Sequence, residues 1–204
     1  AIYIKGSVGK MMNIFCLFLD NFSSKDGGAI SVTTQANILN KYCKFEGNKA
    51  LDGKGGALSF VNSRLFNFKC NFTENISKRF GGAIGLLGDT KNVTNFYCIF
   101  QHNSAMGEHH GTAGGAIHIM KSQNMNTHLY NIYSKFINNS IPSILSVSWE
   151  NMGGAIYVEK IKVFLNLYSV YANNIVMSGK GGAIYCQEIS LLSNIHTGFV
   201  HNVV

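Results

Sequence analysis

Two short motifs alternate along this chain at a nearly constant interval. The glycine pairs Gly27-Gly28, Gly55-Gly56, Gly81-Gly82, Gly114-Gly115, Gly153-Gly154 and Gly181-Gly182 are each followed by Ala-Ile or Ala-Leu. Between them recurs an aromatic residue with asparagine three positions later: Phe18 and Asn21, Phe45 and Asn48, Phe72 and Asn75, Phe100 and Asn103, Phe136 and Asn139, Tyr171 and Asn174, Phe199 and Asn202. Uninterrupted repeats measure 26 to 28 residues, and Ala1-Ile2-Tyr3 reads as the tail of a further glycine motif. A fixed period of this length means that each unit buries its apolar face on its neighbours, so the chain is a solenoid of about seven coils.

The unit is too short for two helices and a turn, and it lacks the leucine spacing of a horseshoe repeat. Val, Ile, Phe and Tyr are frequent, and the one proline is Pro142, a balance that favours strands. The expected fold is all-β, a right-handed single-stranded parallel β-helix with three short strands per coil, of the pectin lyase-like kind. Residues 1–204 are expected to form one such segment, part of a longer solenoid and roughly 34 Å long at about 4.8 Å per coil.

Each repeated residue has a physical task in that geometry. Paired glycines suit a turn that needs positive φ or a close backbone approach, and the alanine after them must be small. The aromatic residues are expected to stack ring on ring, and the asparagines to form an inward amide ladder. Cys16, Cys43, Cys70 and Cys98 each stand two residues before the repeat Phe, where later coils have Ser134, Ser169 and Thr197. They are expected to be buried, reduced and stacked, as a small residue is wanted there and ladder neighbours suit a disulfide poorly. Cys186, after the last Gly-Gly-Ala-Ile-Tyr, has no such place.

Net charge is +7, yet charged residues make up only 13% of the chain, and the lysines arrive singly, without a basic run or a nucleic-acid motif. Nucleic acid is therefore not an expected partner, and a diffuse preference for acidic partners or glycans ranks somewhat above it. The longest apolar run, Ile14 to Leu19, is too short to span a bilayer as a helix.

The pairing of Gly-Gly-Ala-Ile with Phe-x-x-Asn resembles the repeat pair of the polymorphic outer membrane proteins, autotransporter adhesins whose passenger is a β-helix. Similar repeats occur in large surface proteins of some protist parasites. The matching positions are Gly27, Gly28, Ala29 and Ile30 with their counterparts, and Phe18 and Asn21 with theirs. The resemblance implies a cell-surface or extracellular adhesin, with an intracellular structural rod or filament component as the alternative.

Catalysis by a polysaccharide lyase or hydrolase, a third reading, would need carboxylates grouped on adjacent coils. Asp26 and Asp52 precede the glycines of successive coils, but the next coil has Lys78-Arg79-Phe80 there. No enzyme activity and no cofactor are expected. Histidines His102, His109, His110, His118 and His128, with Glu108, cluster without metal-binding spacing, so a solvated loop rather than a metal site is expected. Glycosylation sequons begin at Asn21, Asn71, Asn75, Asn92 and Asn138. Asn21 and Asn75 are ladder positions and should be unmodified.

Two insertions, Ser104 to Ala113 and Ser140 to Met152, fall at the same corner of consecutive coils and hold Trp149, Pro142 and the apolar Ile141, Ile144, Leu145 and Val147. Solenoids present such loops on a binding face. Trp149, Ile144, His109 and His110 are the candidate contacts for a protein or glycan surface. Both ends fall inside a repeat, so end-to-end self-association of the segment is also expected.

Overall fold

The computed structural model describes residues 1–6, 9–107, 112–120, 126–142 and 150–204. Trp149, Ile144, His109 and His110 lie outside the described residues. No helix occurs among those described, and every strand pairing is parallel to the equivalent strand of a neighbouring coil. The chain is a parallel β-helix.

One coil shows the plan. After Gly55-Gly56-Ala57 come a first strand Leu58–Val61, a second Arg64–Phe68, a third Asn71–Thr73 and a fourth Ile76–Ser77. The fourth strand, two residues long, is additional to the three expected. First and second strands belong to one 12-stranded sheet, because in later coils they run together as Ile156–Leu167 and Ile184–Ile195. Third strands make a 7-stranded sheet, fourth strands a 6-stranded one.

Burial alternates along the second strand, with Leu65 and Asn67 inside and Arg64 and Phe66 outside, the period of two that puts alternate side chains on opposite faces. Strict register turns each inward position into a column. Phe45, Phe72, Phe100, Phe136 and Tyr171 are fully buried and stack with centroids 4.7 to 4.8 Å apart. Each such side chain contributes about 1.5–3 kcal/mol by burial. Cys186 also finds its place: it follows Phe60, Leu86, Ile119 and Val158 in an inward column of the first strands. Burial pushes its thiol up to about 12, so it behaves as a small hydrophobe.

Amide ladders supply the buried polar bonds. Along Asn21, Asn48, Asn75, Asn103, Asn139, Asn174 and Asn202, each side-chain amide donates to the Oδ1 of the next at 2.8 to 3.0 Å. A second ladder, not anticipated above, runs through Asn13, Asn40, Asn67, Asn95, Asn131, Asn166 and Asn194 at 2.8 to 3.1 Å. It has a sequence signal, since each of these asparagines stands three residues before the Cys, Ser or Thr of its coil. Among the described residues, Ser77 Oγ and His118 Nδ1 are the buried side-chain atoms left without a partner.

The corners turn on single residues with positive φ, and their surroundings select the side chain. At Gly55 (φ 65°) a Cβ would lie 1.9 Å from the Leu58 carbonyl oxygen, and at Gly56 it would lie 2.1 Å from that of Gly82, so only glycine fits. The corner before each ladder asparagine faces solvent and holds Asp20, Gly47, Glu74, His102, Asn138, Asn173 and His201. The corner between second and third strands holds Phe15, Tyr42, Lys69, Tyr97, Tyr133, Tyr168 and His196.

Candidate functional site

Most of the residues singled out in the sequence are used by the fold itself. The glycine, Phe and Asn repeats are the turns, stack and ladder just described. Cys43, Cys70 and Cys98 are buried, Cys16 is half-buried, and all are free thiols. What their column requires is a small donor. Cys43 Sγ donates to the carbonyl of Asn13 at 3.3 Å, as Ser134 Oγ does to Asn95 and Thr197 Oγ1 to Asn166, both at 3.1 Å. Burial raises Cys43 to about 11 and Cys98 well above the usual thiol range, so both stay protonated.

The carboxylates and histidines are likewise engaged. Asp26 Oδ1 accepts the Lys54 backbone N–H at 2.8 Å, and Asp52 pairs with Arg79 at 3.0 Å. His128 Nδ1 lies 3.1 Å from Asn92 Oδ1, and His102 occupies a corner. His118 is buried between the rings of Phe80 and Tyr157, at 4.6 and 4.9 Å. Desolvation, with Lys54 nearby, lowers it to about 3, so it is neutral. Among the described residues, no group of three His, Cys, Asp or Glu could hold a metal ion.

At the insertions, Ile141 is fully buried against Ala105 and Val176 and is not free to contact a partner. Thr112 N–H donates to Asn151 Oδ1 at 3.2 Å, tying the feet of the two loops together. Pro142 is exposed.

The exposed apolar surface lies elsewhere, along the corner between the second and third strands. Phe15, Tyr42, Tyr97, Tyr133 and Tyr168 are between 36% and 73% exposed although they are large and apolar. Phe15 stacks on Tyr42 at 4.8 Å, and Tyr97, Tyr133, Tyr168 and His196 continue the column at 4.8 to 4.9 Å. Lys69 bridges the gap, its ammonium 5.8 Å from the Tyr42 ring and 6.0 Å from that of Tyr97. Between stacked neighbours the ring faces are covered, so exposed surface there is largely ring edge. Phe66 and Met12, 41% and 50% exposed, lie on the outer face of the second strands beside it. Each residue of the column directly precedes the Cys, Ser or Thr of its coil, the signal that could have found it.

The repeat profile of the Chlamydia polymorphic membrane proteins matches residues 15–33 and 172–187. Each match spans an asparagine of the ladder, a fourth strand and a glycine pair. Those two stretches are similar to the polymorphic membrane protein repeat. A probable outer membrane protein of Chlamydia pneumoniae, pmp7, is 28% identical over 177 residues, 83% of this chain. The chain spans 18% of that relative's length. No solved structure matches it. Residues 15–33 hold one copy of each motif and begin at Phe15 of the aromatic corner, while residues 172–187 hold a ladder asparagine and a glycine motif.

Proposed function

We propose that the chain is a segment of a surface-exposed, non-catalytic passenger whose aromatic corner makes adhesive contact with another surface. One observation carries this reading: the column of exposed aromatic residues from Phe15 to Tyr168. Left-handed backbone costs a bulky residue about 1–2 kcal/mol. Stacking returns about 0.5–1.5 kcal/mol for each pair, so the column contributes little net stability. The neighbouring corner makes the same turn with Asp, Glu, His and Asn. Fold stability alone therefore does not call for aromatic residues, whereas contact does, since Tyr supplies apolar area and a hydrogen-bonding tip at low entropic cost.

The name of the Chlamydia pneumoniae relative supports a location at the cell surface. The engagement of Asp26 by Lys54 and of Asp52 by Arg79 supports a non-catalytic role. The test is attachment of beads coated with the segment to cultured epithelial cells. Replacing Tyr97, Tyr133 and Tyr168 together by Ser should abolish attachment with little loss of thermal stability. Attachment equal to that of the parent would reject the aromatic corner as the adhesive face. Antibody labelling of intact producing cells checks exposure, and labelling only after lysis would favour an internal structural rod.

A further inference from the structure

Beside the aromatic corner, the outer face of the second strands carries a shallow groove of about 350 Å³ lined by Lys10, Asn37, Leu39, Arg64, Phe66 and Asn92, among others. We propose that this groove binds an anionic polysaccharide running along the rod. This goes beyond the adhesive reading by naming a ligand class, and it rests on different residues.

Register brings the groove together. Lys10 pairs with Asn37, Asn37 with Arg64, and Asn92 with His128. Arg64 and Asn92 precede the paired Leu65 and Val93. One exposed column therefore reads cation, amide, cation, amide, imidazole. Strands lie about 4.8 Å apart, which puts Lys10 and Arg64 about 9.6 Å from one another along the axis. A polymer bearing an acidic group on alternate units of similar rise meets both cations. The amides of Asn37 and Asn92 fall between them, where sugar hydroxyls would lie.

Phe66 supplies the apolar element. It is 41% exposed and flanked in register by Leu39 and Thr94, so apolar ring surface is available to the C–H face of a pyranose. The charges are uncompensated. Among the described residues neither Lys10 nor Arg64 makes an ion pair, no carboxylate lines the groove, and the strands Lys10–Ile14, Asn37–Lys41, Arg64–Phe68 and Asn92–Phe96 contain no Asp or Glu. On the third strand, by contrast, Lys44 meets Glu46. Polyphosphate binding draws most of its affinity from several neutralised phosphates. Two separated cations with amides and one aromatic ring suit a sparsely charged glycan better.

The 204-residue protein is titrated by calorimetry with a hyaluronan dodecasaccharide, a keratan sulfate oligosaccharide of equal length, neutral dextran and oligo(dT)20. Binding to either acidic glycan, weakened by salt and absent with dextran, is expected, and which of the two binds identifies the source as sulfate or carboxylate. Arg64→Ala and Lys10→Ala should each lower affinity about fivefold or more, with partial rescue by Arg64→Lys, and Phe66→Ala should lower it several-fold. These exposed changes leave the interior intact, and an unchanged melting temperature verifies that. Absence of binding to both glycans, unchanged affinity in the Lys10→Ala/Arg64→Ala double variant, or tighter binding to oligo(dT)20 would each overturn the proposal. The Tyr-to-Ser variant of the aromatic corner should bind glycan like the parent, which separates failure of the groove from failure of the adhesive face.

Discussion

The side chain of Asn75 donates to Asn103 Oδ1 and to the Phe45 carbonyl, both at 2.9 Å, and its own Oδ1 accepts from the amide and the backbone N–H of Asn48 at 2.9 and 3.1 Å. One buried side chain thereby ties three successive coils. Ladder asparagine serves as a polar rivet in an apolar tube: remove it, and donors and acceptors on two other coils lose partners in a place water cannot reach.

Asn75→Ala should therefore destabilise the protein by about 3 kcal/mol or more, since each orphaned buried group costs about 1–3 kcal/mol. Urea denaturation measures this. The exposed Asn71→Ala, four residues from each ladder asparagine of its coil, should change stability by less than about 0.5 kcal/mol. Equal effects would mean that the ladder is not what holds the coils in register.

His118 gives the stability a pH dependence of known sign. Its folded-state value, about 3, lies below the ordinary 6.5 because burial disfavours the imidazolium. Below pH 6.5 the unfolded chain binds a proton that the folded chain does not. Stability is complete above that pH and falls as the pH drops toward 3, by at most about 1.4 kcal/mol per unit. Between pH 6.5 and 5 the loss should approach about 2 kcal/mol. His118→Phe, which keeps a ring between Phe80 and Tyr157 and removes the unpaired Nδ1, should flatten that slope and raise stability at pH 7. Denaturation midpoints at pH 5, 6 and 7 decide it.

Thiol reagents should discriminate among the cysteines. Cys16 is half-buried, whereas Cys43, Cys70 and Cys98 are buried, and Cys43 is raised to about 11 by burial. Under native conditions at pH 8, Cys16 should react first and the other three only on unfolding, as read by mass spectrometry. Cys98→Ser should be tolerated within about 1 kcal/mol, because Ser134 fills the next position of the column with the same carbonyl-directed hydrogen bond. Fast modification of Cys70 in the folded protein would mean that its thiol is not buried in the column.

Produced by itself, the segment should associate through its last coil. Leu192 is 45% exposed where Phe164 below it is fully buried, and Phe199 is 46% exposed where Tyr171 is fully buried. These are core columns left uncovered, with strand edges that have no parallel neighbour. Sedimentation velocity over a wide concentration range should show growing assemblies. Charged replacements such as Leu192→Lys and Phe199→Lys should return the segment to monomer. A monomer at every concentration without them would refute this.

Much of the coil could be read from residues alone, because a solenoid converts sequence period directly into spatial stacking. The glycine pairs, Phe18 to Phe199 and Asn21 to Asn202 define the period and the all-β class before any coordinate is known. The second ladder through Asn13 and Asn194 and the aromatic corner through Phe15 and Tyr168 have the same period, but asparagine and tyrosine are common enough in this chain to pass as background. Trp149, Ile144, His109 and His110, singled out because they break the repeat, lie outside the described residues.

What the sequence by itself determined is the repeat and its register, since each motif residue can be satisfied only by its own copy one coil away. What only the tertiary structure decided is which side of each coil faces out. Phe15 and Phe18 are three residues apart and chemically identical, yet one begins an exposed column and the other the core stack. Which of the two turns inward is set by a single left-handed residue at the corner, φ 55° at Phe15. It reverses the alternation of faces there, and no local property of the two side chains encodes it.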